Sequence, residues 1–134
     1  MHFKSRQTIY WDMLDLMGIV HNAAYVLLFE RARSEFWLSL GYGPYGDPAF
    51  DWPYVVARNE VNYRSPIERG EHVEVTVFVE SIGRTSMTIG HEVFRQDGIL
   101  SADGRTVLVR IGPVTKKPIP WTDSLRQKLQ DHLG

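Results

Sequence analysis

The segment from Trp11 to Arg33 holds the side chains best suited to chemistry. Asp15 has apolar residues on both sides, and a carboxylate that loses hydration among such neighbours is suited to act as a base. His21 and Asn22 follow six and seven residues later, directly before an apolar run. Asparagine is favoured as a helix cap, where unpaired backbone N–H groups form a positive pole that can hold a developing oxyanion. The segment therefore fits chemistry at a carbonyl group. The alternative is a loop shaped by Asp15 and a helix capped by Asn22, with no reaction.

A predicted helix from Ala23 to Leu40 has to position this segment. It contains no glycine or proline, it is rich in helix-forming residues, and Gly41 follows as a natural stop. Its first seven residues are all apolar, which predicts burial on every side, whereas its second half keeps a single apolar stripe. Glu30 and Arg33 are three residues apart, so we expect an ion pair on the helix surface, although Glu30 could instead face the site.

Strand-like runs and turns make up the rest of the chain. The runs are Val55–Tyr63, Val73–Val79, Met87–Val93 and Thr106–Ile111, and the last of these presents Val107, Val109 and Ile111 on one face. Turns are predicted at Glu68–Gly70, Asp97–Gly98 and Asp103–Gly104. We also expect a short strand and a loop within Ile9–Val20, a loop within Tyr42–Pro53, and a short amphipathic helix within Thr122–Leu133. One long helix against an antiparallel sheet is an α+β fold, in a single domain of residues 1–134.

Composition and charge exclude several classes of function. The absence of cysteine excludes a disulfide framework, a cysteine-ligated zinc and a thiol nucleophile. Fifteen basic against sixteen acidic residues argue against a nucleic-acid surface, and five scattered histidines predict no metal site. The first ten residues lack the apolar stretch of a signal peptide, and no apolar run approaches the roughly 20 residues that span a bilayer. We therefore expect a soluble, cytoplasmic protein with no membrane partner. Because a small domain has little room to enclose a ligand, its site is expected to need a second chain.

Three stretches of the chemical segment, Asp15–Val20, Asn22–Tyr25 and Phe29–Arg33, together resemble the signature of the hotdog-fold acyl-CoA thioesterases. The nearest branches are the 4-hydroxybenzoyl-CoA thioesterases and the YbgC-like thioesterases. The resemblance continues downstream in Val61–Ile67, Gly70, Gly83–Ser86 and Gly104–Val107. It implies an antiparallel sheet wrapped around one long central helix. It also implies a homodimer or a dimer of dimers, with acyl-CoA bound at the dimer interface and no cofactor beyond the coenzyme A of the substrate.

The same resemblance implies roles for individual residues. Asp15 matches the catalytic aspartate, which acts either as a nucleophile toward the thioester carbon or as a base for water. The thioester oxygen would point at the helix start, with a backbone N–H near Asn22 as donor. Arg84, Thr85 and Ser86 match a stretch that contacts coenzyme A, where a guanidinium suits phosphate, although Arg84 could equally be an exposed turn residue. The remaining candidates for substrate binding, each of which could instead be a core, turn or solvent-facing residue, are Gly18, Tyr25, Asn59 and Tyr63.

Two departures from the family pattern bear on the mechanism. Met13 stands where many relatives have the first aspartate of a D-x-D motif, so only Asp15 is available. Asn22 stands where the YbgC-like branch has a histidine, so either His21 takes over or the mechanism lacks an imidazole. These departures motivate an alternative, a non-catalytic hotdog domain that binds acyl-CoA or a protein partner. A hotdog hydratase would need a histidine and a carboxylate in a pattern that the sequence does not contain.

Overall fold

The computed structural model describes residues 2–42 and 54–133, so the predicted loop from Tyr42 to Pro53 lies almost wholly outside the described residues. Within these described residues, five strands and two α-helices follow one another. They are β1 (Phe3–Thr8), α1 (Ala24–Ser39), β2 (Tyr54–Tyr63), β3 (His72–Ile82), β4 (Ser86–Phe94), β5 (Leu100–Arg110) and α2 (Asp123–Lys128). Short 3₁₀ turns lie at Trp11–Met13 and Gln130–His132.

The strands form one antiparallel sheet in the order β1-β3-β4-β5-β2, and α1 packs against one of its faces. The core lies between that face and the helix. Its largest fully buried helix residues are Leu28, Phe29 and Phe36, and each contributes roughly 1.5–3 kcal/mol through burial of apolar surface. The predicted fold class is confirmed: an α+β hotdog fold with an antiparallel sheet around one long helix.

The helix prediction is confirmed to within one residue at each end, but the expected burial of its start on every side is wrong. Ala24 and Tyr25 are buried, whereas Ala23 is exposed and Leu27 keeps 36% of its surface accessible. The first turns of α1 therefore present an apolar strip to solvent. Apolar residues alone do not show which side of a helix another element covers, so the pattern overstated the burial.

The strand predictions for β2, β3 and β4 are confirmed, and the alternating valines of β3 are all buried. The strand expected within Ile9–Val20 is wrong, because the first strand lies earlier. In β1 the residues that face the core include Ser5 and Gln7, and Gln7 Nε2 donates to the backbone oxygen of Leu28 at 3.0 Å. These inward polar side chains hide the apolar alternation that normally reveals a strand.

The turn predicted at Asp103–Gly104 is also wrong, because both residues lie inside β5. Gly104 pairs with Val61 of β2 and His91 of β4, and a Cβ at this position would overlap the backbone oxygen of Glu60. The glycine is therefore required by close approach between strands. Strand β5 starts earlier than expected, and its core-facing residues are Ala102, Thr106 and Leu108 rather than the valines named from the sequence.

The predicted turns at Glu68–Gly70 and Asp97–Gly98 are confirmed, and both glycines have positive φ. The C-terminal amphipathic helix is confirmed as α2, where Thr122 Oγ1 accepts from the N–H of Leu125 at 3.1 Å. Among the described residues, no helix is long and apolar enough to cross a membrane.

Candidate functional site

Asp15 lies at the tip of a short hairpin that leads directly into α1. Leu14 and Val20 form an antiparallel bridge, and the N–H of Asp15 donates to the oxygen of Ile19 at 2.9 Å. The N–H of Gly18 closes the tip by donating to the Asp15 oxygen at 3.0 Å, with the glycine at φ +76°. The candidate Gly18 is thus required by this turn, since few other residues adopt such a φ.

The carboxylate of Asp15 is held at one oxygen, and its other oxygen has no partner among the described residues. Oδ1 accepts from the N–H of Met17 at 2.8 Å and from that of Ile19 at 3.5 Å. Oδ2 makes no hydrogen bond with the described residues, and the side chain is exposed. Leu16 is fully exposed and Met17 is 82% exposed, so the expectation that these neighbours dehydrate Asp15 does not hold within one chain.

The start of α1 differs from the prediction. Ala23 occupies the cap position without a side-chain cap hydrogen bond, so Asn22 is not the cap. The N–H of Ala24 instead donates to the oxygen of His21 at 3.0 Å, so a backbone turn precedes the helix. Asn22 contributes its backbone oxygen, which accepts from the hydroxyl of Tyr63 at 2.9 Å. Without a capping side chain, the first-turn N–H groups keep the positive pole that an oxyanion requires.

The candidate His21 does not form a pair with the carboxylate of Asp15 among the described residues. The backbone N–H of His21 donates to the oxygen of Met13 at 2.9 Å, which fixes the base of the hairpin. Within residues 2–42 and 54–133, neither a hydrogen bond nor an ion pair joins His21 to Asp15. The described residues also contain no cluster of three histidine, aspartate or glutamate side chains that could hold a metal ion.

Tyr25 and Tyr63 meet beside the start of α1, with ring centroids 5.2 Å apart in an edge-on arrangement. Tyr25 is buried, and its hydroxyl lies 3.0 Å from Ser101 Oγ. Burial raises the pKa of the Tyr25 hydroxyl, and the hydrogen bond to Ser101 acts in the opposite direction. Tyr63 is 54% exposed, so of the two it is the one that offers a surface to a ligand.

The stretch Arg84–Ser86 joins β3 to β4 at the opposite end of the sheet from Asp15. Arg84 is exposed, while Thr85 and Ser86 are partly buried. The Arg84 oxygen accepts from the N–H of Trp121, and Arg126 of α2 donates to the Gly83 oxygen at 2.6 Å. A second guanidinium therefore lies beside this turn. The hairpin of Asp15 bridges to Glu68, just before β3, so the eleven residues of that strand separate the two places by about 33 Å.

Asn59 lies exposed on β2 and is tied to the helix through Thr106. Thr106 Oγ1 donates to Asn59 Oδ1 at 2.8 Å and accepts from Arg33 Nη1 at 3.0 Å. The ion pair expected between Glu30 and Arg33 is wrong, because Arg33 points into the core and is only 3% exposed.

Arg33 and His91 are the residues that sequence reasoning missed, and their heavy atoms Nη1 and Nε2 lie 3.4 Å apart. Burial, and after it the charge of Arg33, lowers the pKa of His91 to about 3. The spacing held a signal for the arginine, since it follows Phe29 by four residues on the buried stripe of α1.

Comparisons with known proteins agree with this fold. The family model described as the thioesterase superfamily matches residues 17–102, a segment that begins two residues after Asp15. The acyl-CoA thioester hydrolase YbgC of Escherichia coli O6:H1 is 24% identical over 110 residues, which cover 82% of each chain.

Two solved structures are also similar. The structure of a predicted thioesterase from Bacillus stearothermophilus has a TM-score of 0.88 at 31% identity, covering 100% of this chain and 98% of that one. A thioesterase from Thermus thermophilus, complexed with coenzyme A and zinc, has a TM-score of 0.81 at 30% identity, covering 96% and 92%.

Proposed function

The chain belongs to the thioesterase superfamily and is a thioesterase of the hotdog fold, and we propose that it hydrolyses acyl-CoA thioesters to a carboxylic acid and free coenzyme A. The geometry of Asp15 carries the proposal: one carboxylate oxygen is held by backbone N–H groups, the other has no partner among the described residues, and α1 begins shortly afterwards without a side-chain cap. The relative named as an acyl-CoA thioester hydrolase and the neighbour complexed with coenzyme A support this substrate class, and they favour an enzyme over a non-catalytic domain.

The free oxygen of Asp15 serves either of two routes. As a base it takes a proton from water while the water oxygen attacks the thioester carbon, and the carbon–sulfur bond then breaks to release coenzyme A. As a nucleophile it attacks that carbon itself, the carbon–sulfur bond breaks to release coenzyme A, and water hydrolyses the resulting mixed anhydride. In both routes negative charge develops on the thioester oxygen, and N–H groups at the start of α1 stabilise it. Single turnover in ¹⁸O-labelled water tests for the second route, since label in the Asp15 carboxylate arises only when water attacks the Asp15 carbonyl of the anhydride.

The Asp15 carboxylate supplies the base or nucleophile, and the N–H groups at the start of α1 supply the oxyanion site. We therefore propose a reaction that uses no metal and no cofactor apart from the coenzyme A of the substrate. We assign no step to the imidazole of His21, whose ring has no hydrogen bond to Asp15 among the described residues. The cytoplasmic location stays a prediction of the sequence.

A homodimer completes the proposed site. Strand β2 is an edge of the sheet with ten residues, and Val55 and Val56 on it are each 45% exposed. Long unpaired edges with exposed apolar residues invite pairing with another chain. A second chain on this edge would cover the exposed strip at Leu27 and bring its own elements toward the Asp15 hairpin. We propose that acyl-CoA binds between the two chains, as a dimer or a dimer of dimers.

Substitution of Asp15 tests the proposal. Asp15→Asn keeps the Oδ1 acceptor that holds the hairpin but removes the charge, so the fold should persist while the base or nucleophile is lost. We expect kcat/KM for acyl-CoA hydrolysis, followed by thiol release, to fall by about 10²-fold or more, with Tm near that of the wild type.

Asp12→Asn is the matched control for this experiment. Asp12 is an exposed carboxylate three residues earlier, in the 3₁₀ turn, and makes no hydrogen bond to the hairpin. This variant should keep wild-type turnover. An Asp15→Asn protein that hydrolyses acyl-CoA as fast as the wild type would refute the role of Asp15.

A further inference from the structure

Arg33 is a buried cation that no carboxylate neutralises within the described part of the chain. Its side chain is 3% exposed, and none of the ion pairs between described residues includes it. Burial lowers the pKa of the guanidinium, against the opposing influence of Tyr54 and Glu30, yet an arginine stays protonated in proteins. Such a group only donates hydrogen bonds, so every polar atom that it contacts must accept.

His91 satisfies this requirement as a neutral ring. The Nδ1 atom lies 3.1 Å from the backbone oxygen of Thr76, which can only accept, so Nδ1 carries the proton. The Nε2 atom is then an acceptor, and it faces Arg33 Nη1 at 3.4 Å. The ring stacks on Phe29 at 4.4 Å and is 1% exposed, so it has no freedom to turn.

Thr106 continues this donor-to-acceptor order of hydrogen bonds from Arg33 toward β2, at the edge of the sheet. Its hydroxyl oxygen accepts from Arg33, so its own proton has to be given to another acceptor. That acceptor is Asn59 Oδ1, at 2.8 Å. The orientation of the Asn59 amide is therefore fixed: its oxygen is turned inward and its two N–H donors are turned away from the network. Among the residues that the structure describes, no partner accepts from Asn59 Nδ2.

Asn59, the residue that carries this donor, lies on the same face of β2 as Tyr63, which borders the proposed site. Every second side chain of β2 faces α1, and these include Asn59, Val61 and Tyr63. The hydroxyl of Tyr63 donates to the backbone oxygen of Asn22, beside the Asp15 hairpin. Tyr63 follows Asn59 by four positions along the strand, a distance of about 13 Å. A thioester whose carbonyl lies at the start of α1 can thus extend its acyl chain along this face to Asn59.

We propose that Asn59 Nδ2 is a specificity-determining hydrogen-bond donor for an oxygen on the distal part of the acyl group, and that Arg33 and Thr106 are positioning residues that fix its direction. The substrate class is an acyl-CoA whose chain carries a hydroxyl or carboxylate oxygen, in preference to a plain alkyl chain. The uncompensated charge of Arg33 favours the same class, because a buried cation attracts a group with partial or full negative charge. This inference rests on the proposed thioesterase function.

Matched substrates test the donor. We expect the wild type to prefer ω-hydroxydecanoyl-CoA over decanoyl-CoA, and Asn59→Val to lower that ratio of kcat/KM values about five- to tenfold, as for one lost hydrogen bond. Asn62→Val is the control, since Asn62 lies on the same strand but bonds to Asp103 on the other face. It should keep the wild-type ratio.

Variants of Thr106 distinguish a positioning role from a merely structural one. Thr106→Val keeps the shape but removes the hydroxyl, so the Asn59 amide is free to rotate and the substrate ratio should fall although Asn59 is present. Thr106→Ser restores the hydroxyl and should restore the ratio. A merely structural role would lower Tm in both variants without changing the ratio.

Binding measurements keep the outcome independent of turnover. In Asp15→Asn protein, the ratio of Kd values for the two acyl-CoAs should also shift when Asn59→Val is added. Absence of hydrolysis by the wild type, with this shift intact, would sink the thioesterase proposal and leave the donor standing. An equal loss for both substrates would place Asn59 on the pantetheine arm and overturn the acyl assignment, and an unchanged ratio would overturn the donor itself.

Discussion

Asp15 and Asn59 are oriented by the same physical means. Each has one oxygen occupied by hydrogen bonds from its own chain, and each presents its other polar atom outward. A side chain held in this way loses less conformational entropy when it meets a ligand than a free one would. As a result, Asp15 presents an acceptor oxygen outward from the hairpin before α1, and Asn59 presents an N–H donor outward from β2.

The buried His91 makes stability depend on pH. Its pKa is about 3 in the folded chain, against an ordinary value of 6.5. Between these values the unfolded chain binds the proton and the folded chain does not, so protons favour unfolding. The contribution of His91 to stability is complete above pH 6.5 and is lost as the pH falls toward 3, by at most about 1.4 kcal/mol per pH unit.

We therefore expect Tm to fall as the pH is lowered below 6.5, and His91→Gln to flatten this slope. Scanning fluorimetry from about pH 7.5 to about pH 4.5 measures both, since this range spans the ordinary pKa of histidine. His72→Gln is the comparison, because it removes a histidine that is only partly buried, at the start of β3. Equal slopes in the wild type and His91→Gln would show that other groups govern acid unfolding.

Residue types predicted part of the site and left part hidden. Asp15 and Asn59 were identified because a lone carboxylate in an apolar segment and a polar residue in a strand stand out in a sequence. Arg33 did not stand out, because a glutamate three residues away offered a simple surface ion pair. Its spacing of four residues from Phe29 was compatible with the buried stripe of α1, but only the packing of α1 against the sheet decides between the buried and the exposed reading.

At the level of secondary structure, valine alternation made β3 visible, whereas inward polar residues hid β1. The prediction of Asn22 as the cap of α1 was wrong for a related reason. The backbone oxygen of His21 supplies the acceptor that the Asn22 side chain was expected to provide. Local patterns predict elements reliably only where the local hydrogen bonds and the tertiary contacts agree.

Gly104 shows the same conflict between local pattern and tertiary packing, and it can be tested. A Cβ at this position would overlap the Glu60 oxygen on β2 and approach the Phe29 ring to 3.0 Å. Gly104→Ala therefore has to push β2 away from β5, at a cost of about 1–3 kcal/mol. We expect a clear drop in Tm and in the urea midpoint.

Gly83→Ala is the comparison for this variant, since a Cβ there meets the flexible hydroxyl of Ser86 at 3.2 Å and no strand backbone closer than 3.4 Å. It should change Tm much less. If Gly104→Ala were as stable as the wild type, the close approach of β2 to β5 would not be a constraint on the sequence.

For the molecule as a whole, the distance between the two candidate ligand contacts matters most. The Asp15 hairpin bridges to the chain just before β3 and Arg84 follows the end of that strand, whose length is about 33 Å. If both contact one acyl-CoA, the most economical arrangement takes Asp15 from one chain and Arg84 from its partner across the β2 edges. The small size of the chain then has a specific consequence, because neither chain alone contains a complete site.

Mixed dimers test this arrangement directly. Asp15→Asn removes the reacting carboxylate, and Arg84→Glu repels the phosphates of coenzyme A, so each variant alone should be nearly inactive. In a mixed dimer with shared sites, one site carries both defects and the other carries neither, so refolding the two variants together should restore thiol release. Sites contained within single chains would each keep one defect, and the mixture would stay inactive. Refolding each variant alone is the control, and light scattering confirms that both variants form dimers.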